Sequence, residues 1–295
     1  MLTMTAYNGI LKDIKNTYNN TKNEAPPAER MEKMDINIKN KQKALVLSSD
    51  ELIPGTLYSL TLRAPDIAPL TLPGQLVHIA VGGEDSAFSL RRPFSVAYTD
   101  GDVLCVRYNV VGEGTRWLSG VRAGDVLDLL GPVGNGWDVS GTDKILLCGG
   151  GTGIYSLLGA SKRLGARAKA LLGFRSSPLV NSTGDFERFG SAVSVITDDG
   201  TSGRKGFVTE LLENEIKNGG WDRVFICGPH NMMKNAAETA MKAGLTVYVS
   251  LEEHMGCGIG ACMACVCKMV RGDGGEEYRR VCVDGPVFNA SEVIW

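Results

Sequence analysis

The chain has 295 residues, with 31 Lys and Arg against 33 Asp and Glu and a formal net charge of −2. That length exceeds one typical small domain and predicts two or three, and the near balance of charge excludes a surface built to attract nucleic acid or an acidic membrane. The apolar runs, such as 144–148 and 223–227, are of strand length and far short of the roughly 20 residues that span a bilayer; no charged n-region followed by an apolar h-region opens the chain, so a cytoplasmic protein without membrane insertion is expected.

Residues 1–43 hold seven Asn, seven Lys and one Arg against five acids, with a Pro26-Pro27 pair. Such a segment buries little apolar surface and reads as a polar tail, disordered or a short peripheral helix. Met31 and Met34 are alternative starts, and the tail is assigned no function. From 44 to about 140 the pattern is short β runs: 44–48, 56–63, 75–81, 94–99, 103–110 and 126–130. Pro54-Gly55, Pro73-Gly74, Asp100-Gly101-Asp102, Ala123-Gly124-Asp125 and Gly131-Pro132 punctuate them. Strands at that spacing predict a β-barrel or sandwich. From about 141 to 250 strands alternate with helices: strands at 144–148, 168–174, 193–197, 223–227 and 246–250, and helices ending near 164 and covering 206–215 and 231–243. This alternation predicts a doubly wound parallel sheet. Residues 251–295 are cysteine-rich and too few for a large core, so a metal cluster would supply the missing cross-links.

Of eight cysteines, Cys105, Cys148 and Cys227 lie singly in strand-like runs and read as buried thiols. The other five crowd into 257–282, which favours metal binding over disulfides. Cys257, Cys262 and Cys265 form C-x4-C-x2-C with a distant Cys282, the spacing by which thiolates hold a plant-type [2Fe–2S] cluster. Gly256, Gly258 and Gly260 let the backbone fold around such a core, and Cys267, on a segment leaving the loop, is a spare. A four-cysteine zinc site is the rival, but it prefers paired C-x2-C knuckles and only one such pair is present. A one-electron centre makes electron transfer the first expectation.

Gly149, Gly150, Gly151, Thr152 and Gly153 stand between a predicted strand and helix. They match neither G-x-G-x-x-G nor a P-loop, yet glycines there let a phosphate approach backbone N–H groups and the positive helix end; a plain tight turn is the alternative. Cys227, Gly228 and Pro229 close the fourth strand of the same sheet, an ordinary junction alone and a candidate nicotinamide wall in company. In Arg92-Pro93-Phe94-Ser95, an Arg fork suits a phosphate, an aromatic can cover a flavin or adenine ring, and a Ser can bond a flavin edge. A solvated Arg before a strand competes with that reading. Gly112-Glu113-Gly114-Thr115 precedes a helix-like 116–119. Of the three histidines, His78 reads as structural, His230 as a candidate nucleotide contact, and His254 as a neighbour of the cluster loop whose iron is already satisfied by four cysteines.

Together these residues resemble the ferredoxin–NADP reductase superfamily: Arg92-Pro93-Phe94-Ser95 resembles its R-x-Y-S flavin motif with Phe for Tyr. Cys257–Cys267 and the Arg280-Val281-Cys282-Val283-Asp284-Gly285-Pro286-Val287-Phe288 run resemble more specifically the electron-transfer subunits of class 1B dihydroorotate dehydrogenases. The resemblance covers 44 to the C-terminus; residues before about 39 have no counterpart, and the charged, glycine-rich 271–277 reads as a solvated loop. It implies an antiparallel β-barrel FAD domain (44–140) with Arg92, Pro93, Phe94, Ser95, Arg107, Tyr108, Asn109, Gly114 and Thr115 at the flavin. It implies a doubly wound α/β NAD domain (141–250) using Gly149–Gly153 and Cys227–Pro229, and a small [2Fe–2S] domain (251–295) ligated by Cys257, Cys262, Cys265 and Cys282. It further implies a partner, an FMN-containing dihydroorotate dehydrogenase catalytic subunit in a heterotetramer of two of each, acting in pyrimidine biosynthesis. Electrons would pass from that FMN through the cluster and FAD to NAD+. No acid or base is assigned, because hydride transfer is chiefly a matter of orientation. Arg175 and Ser176 after the second parallel strand could receive a 2′-phosphate, but the resemblance favours NAD. The alternatives are another flavin/iron–sulfur reductase, of the sulfide dehydrogenase or ferredoxin:NADP reductase type, and a redox-sensing or structural cluster protein.

Overall fold

The computed structural model describes residues 41–83 and 88–295. The polar tail expected at 1–43 lies outside the described residues except for its last three, which already belong to the first strand.

Strands β1 (Lys41–Ile53), β2 (Leu57–Arg63), β3 (Leu76–Ile79), β4 (Arg92–Asp100), β5 (Val103–Asn109) and β6 (Val126–Val133) close a barrel in the order β1-β2-β5-β4-β3-β6. Every pairing is antiparallel. All six predicted strands are present, and closure decides for barrel over sandwich. Side-chain alternation fills the interior with Leu60, Leu62, Val77, Ile79, Val96, Leu104, Val106 and Leu129. A short helix, α1 (Glu113–Ser119), follows β5.

The second half is built on β7 (Ile145–Gly150), β8 (Ala168–Phe174), β9 (Ala192–Thr197), a two-residue β10 (Arg204–Lys205), β11 (Arg223–Cys227) and β12 (Thr246–Ser250). Helices α2 (Ile154–Leu164), α3 (Thr183–Arg188), α4 (Val208–Asn218) and α5 (His230–Lys242) intervene. The strands run parallel in the order β10-β9-β8-β7-β11-β12, which reverses direction at β7. Ile145–Gly150 and Arg223–Cys227 are buried throughout, as strands covered on both faces must be. Helix α4 starts two residues later than predicted, because Gly206 has φ +147° and Phe207 is extended. Glu210 accepts the Phe207 N–H at 3.0 Å and caps the helix there.

The last block does not stand apart. Strands β13 (Val266–Val270) and β14 (Glu276–Arg280) form a hairpin, with the predicted loop 271–277 as its turn and the start of β14. Then β15 (Val287–Asn289) joins the large sheet antiparallel to β12. Cys265, Met269, Val281, Cys282 and Phe288 share one apolar core with Leu146, Ile226, Met233 and Val249. A second core ties barrel to sheet: Leu57, Ala97 and Cys105 pack with Trp137, Leu157 and Phe225. Trp137 stacks on Phe225 at 4.8 Å and donates its indole N–H to the Ser156 carbonyl at 2.9 Å. No helix among the described residues is long and apolar enough to cross a membrane.

Candidate cofactor sites

A cleft of about 650 Å³ runs along the carboxyl ends of β7, β8, β11 and β12 and is closed on its far side by the barrel. This is where an open α/β sheet presents ligands, beside the strand at which its order reverses. Gly150, Gly151, Thr152 and Gly153 line it from one turn, Gly228 and Pro229 from another, and Ile53, Thr56, Leu57 and Asn109 from the barrel. The two turns touch through backbone: a Cβ on Gly153 would lie 2.5 Å from Cys227 C and O and from Gly228 N. Gly151 has φ +55° and nothing within 4 Å of where its Cβ would be, so only its conformation demands glycine. Gly149 is buried behind the turn on Ile154, and the Cys227 thiol is buried too, 3.8 Å from the Ser250 carbonyl and pushed up to about 12 by burial. Arg175 and Asp198 line the cleft together at the β8–β9 end. His230 is exposed, edge-on to Trp295 at 5.4 Å, and is absent from the cleft wall.

On the barrel, two sequence-distant motifs meet. A Cβ on Gly114 would lie 2.9 Å from Arg92 Nε and 3.2 Å from Val81, so Arg92 packs directly over the start of α1. Thr115 folds that turn: its Oγ1 accepts the Val111 and Gly112 N–H groups at 2.9 and 3.1 Å and donates to the Gly112 carbonyl at 3.0 Å. Phe94 is nearly buried, its ring 5.4 Å from that of Tyr108. Pro93 and Ser95 alternate with it and point away from the barrel interior, paired with His78 and Leu76 of β3. The triplet Arg107-Tyr108-Asn109 does not act as one surface. Alternation sends Tyr108 into the barrel core while Arg107 and Asn109 face the α/β layer. Arg107 is spent on structure: Nη1 pairs with Asp185 at 2.7 Å and donates to Ser182 at 2.6 Å. The Arg107 guanidinium ties the barrel to α3.

The cysteine loop closes over one thiol. Cys257 Sγ accepts the N–H groups of Ile259, Ala261 and Cys262 at 3.4, 3.3 and 3.4 Å, and Cys262 Sγ accepts that of Cys257 at 3.4 Å. Backbone donors from Ala264 and Cys257 bring the exposed Cys262 thiol down to about 7. Cys265 and Cys282 are buried neighbours, with burial chiefly and the adjacent Cys265 thiol pushing Cys282 up to about 12. Among the described residues no three His, Cys, Asp or Glu side chains gather about a single metal position. The four thiols fall instead into two pairs, and a binuclear cluster with four cysteine ligands can take two on each iron. Cys267 is on β13 and donates to the Arg279 carbonyl at 3.3 Å. Glycine is required around the loop: a Cβ on Gly260 (φ +79°) would lie 2.7 Å from Val283, and one on Gly256 3.2 Å from Cys262 Sγ. The donor chemistry and the cradle fit a [2Fe–2S] group.

Residues 252–294 match the family model described as the iron–sulfur cluster binding domain of dihydroorotate dehydrogenase B. The electron transfer subunit of dihydroorotate dehydrogenase B (NAD(+)) from Caldanaerobacter subterraneus subsp. tengcongensis is 42% identical over 256 residues, covering 86% of this chain and 99% of that protein. The chain belongs to this family. Another member, from Bacillus velezensis, is 40% identical over 262 residues, 86% of this chain and 99% of its own. Among solved structures, one of an NADH-dependent reduced ferredoxin-NADP oxidoreductase aligns with a TM-score of 0.74 and 28% identity, over 85% of this chain and 90% of that one.

Four residues of this family member have contacts or surroundings that the sequence alone did not assign. Asn135, just after β6, donates Nδ2 to the Asp284 and Val287 carbonyls at 3.0 and 2.9 Å and accepts the Val287 N–H at 2.9 Å, hooking the barrel exit to the segment after Cys282. Arg280 reaches the Gly260 carbonyl at 3.2 Å while Nε pairs with Asp284 at 3.0 Å, tying the cysteine loop to the Cys282 segment. Glu252 stands in the cleft at the end of β12, open to water yet ringed by protein that pushes its carboxyl above the usual range. His78 lies beneath the cysteine loop. Only Asn135, a turn-forming residue between Gly134 and Gly136, carried a local signal, and that signal pointed to a turn.

Proposed function

We propose that this chain is the subunit that carries electrons from an FMN-containing dihydroorotate dehydrogenase catalytic subunit, through a [2Fe–2S] cluster and FAD, to NAD+ in pyrimidine biosynthesis. When bound, the cluster exchanges single electrons, the flavin one or two, and nicotinamide a hydride. One observation carries the reading: Cys265 and Cys282 share a core with Leu76 of β3, and Gly258 of the cysteine loop rests on His78 of the same strand, which pairs with the Arg92–Ser95 motif, while the glycine turns line a cleft with other barrel residues.

The chain's own residues bind, orient and exclude water. Arg92 over Gly114 forms the flavin pyrophosphate seat, and Ser95 faces the flavin edge. Gly150–Gly153 bring backbone N–H groups to the nucleotide phosphates, and Gly228 and Pro229 wall the nicotinamide. The presence of Asp198 beside Arg175 leaves no net positive charge for a 2′-phosphate, which supports NAD over NADP. The cluster loop meets the catalytic subunit, in a heterotetramer of two of each; the exposure of Cys262 and Met263 supports this reading. Cys105, Cys148, Cys227 and Cys267, outside the proposed ligand set, are unbridged thiols, which suits a reducing compartment, the cytoplasm.

Co-expression with a dihydroorotate dehydrogenase of the FMN type, followed by co-purification and a dihydroorotate:NAD+ assay, tests the proposal. A stable complex with that activity is expected. Folded protein that takes up neither FAD nor iron would sink it.

A further inference from the structure

His78 is fully buried, and among the described residues neither ring nitrogen has a hydrogen-bond partner. An imidazole stripped of water with both nitrogens idle is costly, so such a group in a native fold calls for a partner. Its surroundings say where that partner is. In β3, Val77 and Ile79 point into the barrel, so His78 and Leu76 point outward. Leu76 packs in the core that holds Cys265 and Cys282. His78 is directly opposite Pro93, and Leu76 opposite Ser95. The ring therefore lies outside the barrel wall, on the face that Pro93 and Ser95 of the flavin motif also present.

Its other face meets the cysteine loop. A Cβ on Gly258 would lie 2.7, 2.8 and 2.9 Å from Cε1, Nε2 and Nδ1 of His78, so the Gly258 backbone rests flat on the ring. Gly258 follows Cys257 and has φ +70°, so both space and conformation exclude a side chain there. Cys257 Sγ already draws three N–H donors from its own loop, all from residues that follow it. The His78 ring approaches the same loop from the barrel side.

We propose that His78 is a positioning residue for the iron–sulfur centre, donating one ring N–H to a cluster sulfur from the barrel side. The proposal rests on the reading that Cys257, Cys262, Cys265 and Cys282 hold a [2Fe–2S] cluster. A donor on a cluster sulfur favours the more negative, reduced state and raises the potential. His78 thus sets the reduction equilibrium of the centre while packing against the flavin motif, and Gly258 is the residue that lets it do so. Arg91, whose charge adds to burial in holding the imidazole neutral, leaves the ring one N–H to give.

The test uses the full-length, cofactor-loaded chain and its His78→Leu and His78→Gln variants. Iron and labile sulfide are assayed first, and the cluster is then titrated against redox mediators with EPR detection. At a fixed poise the reduced-to-oxidised ratio should fall about three- to tenfold in His78→Leu, the scale of one charge-assisted hydrogen bond that strengthens on reduction. His78→Gln, which keeps an N–H, should recover most of it, and the flavin titration should not move. Pulsed EPR on 15N-histidine-labelled protein should show a coupling to the reduced cluster that survives His254→Gln, and this measurement decides the matter if His78→Leu does not load. An unchanged ratio in a fully loaded His78→Leu protein, or no histidine coupling, overturns the role of His78 alone. Wild-type protein that binds no iron overturns the cluster reading with it.

Discussion

Gly153 is the position at which a single methyl group tests how the nucleotide cleft is held. Its backbone, at φ −60° and ψ −22°, is open to any residue, so alanine meets no conformational penalty there. Space is the obstacle. The new Cβ would lie 2.5 Å from Cys227 C and O and Gly228 N, where ordinary contact begins at 3.4 Å. The Gly149–Gly153 and Cys227–Pro229 turns must then part by 3.4 − 2.5, about 0.9 Å. Neither can yield cheaply, since Ile154 and Leu157 behind one are fully buried and Cys227 in the other is 2% exposed. Overpacking of this kind costs about 1–3 kcal/mol, and at roughly 2–4 °C per kcal/mol for a chain of this size the melting temperature should drop by several degrees. The displaced wall should also slow reduction of the flavin by NADH, by up to about a hundredfold for an ångström of misplacement. Gly151→Ala is the contrast: it has open space but φ +55°, so it should cost about 1–2 kcal/mol without moving the second turn. Thermal melts of FAD-loaded protein and stopped-flow reduction of the flavin by NADH read both effects. A Gly153→Ala protein with wild-type melting and a wild-type rate of flavin reduction by NADH would refute the backbone contact as the wall of the cleft.

Cys282→Ser should abolish electron exchange with the catalytic subunit far more than NADH reduction of FAD, and equal loss of both would mean that the cluster is chiefly structural. Cys267→Ser keeps a donor for the Arg279 carbonyl and should leave iron content unchanged; iron lost in proportion would make Cys267 a ligand. Asp185→Asn leaves the Arg107 guanidinium, 7% exposed, without its counter-charge, at a cost of about 3 kcal/mol in urea unfolding. Arg107→Met should cost less because Asp185 keeps Arg188 at 3.0 Å, and the reverse order would contradict the asymmetry. Burial raises the folded pKa of Glu252, so its contribution is fully present below the ordinary carboxylate value and is lost as pH rises through the folded one. Glu252→Gln should therefore gain on the wild type in melts taken from about pH 4 to about pH 7; a constant difference across that range would refute the assignment.

What the sequence disclosed and what it hid divide along a physical line. Strand positions were legible because glycine and proline turns cut the barrel runs into short pieces, and because strands buried on both faces, such as 145–150, must be continuously apolar. The cysteine spacing was legible because three of the four thiols lie within nine residues and their spacing is local. The Arg107 ion pair was not legible because a motif read as three adjacent letters ignores strand parity: Tyr108 faces one side, and Arg107 and Asn109 the other. The contact of His78 with the cysteine loop was hidden for a different cause. An isolated histidine in an apolar strand carries no signal of its own, and its meaning comes from Gly258, 180 positions away in the chain, pressed against its ring. Asn135 and Arg280 are of the same kind, each spanning segments that composition cannot connect. Local pattern thus names the parts that hold each group. The residues that set distances between the parts are fixed by register and by contacts between remote turns. Variants at His78, Asn135 and Arg280 should accordingly alter transfer between centres while leaving the motifs themselves intact.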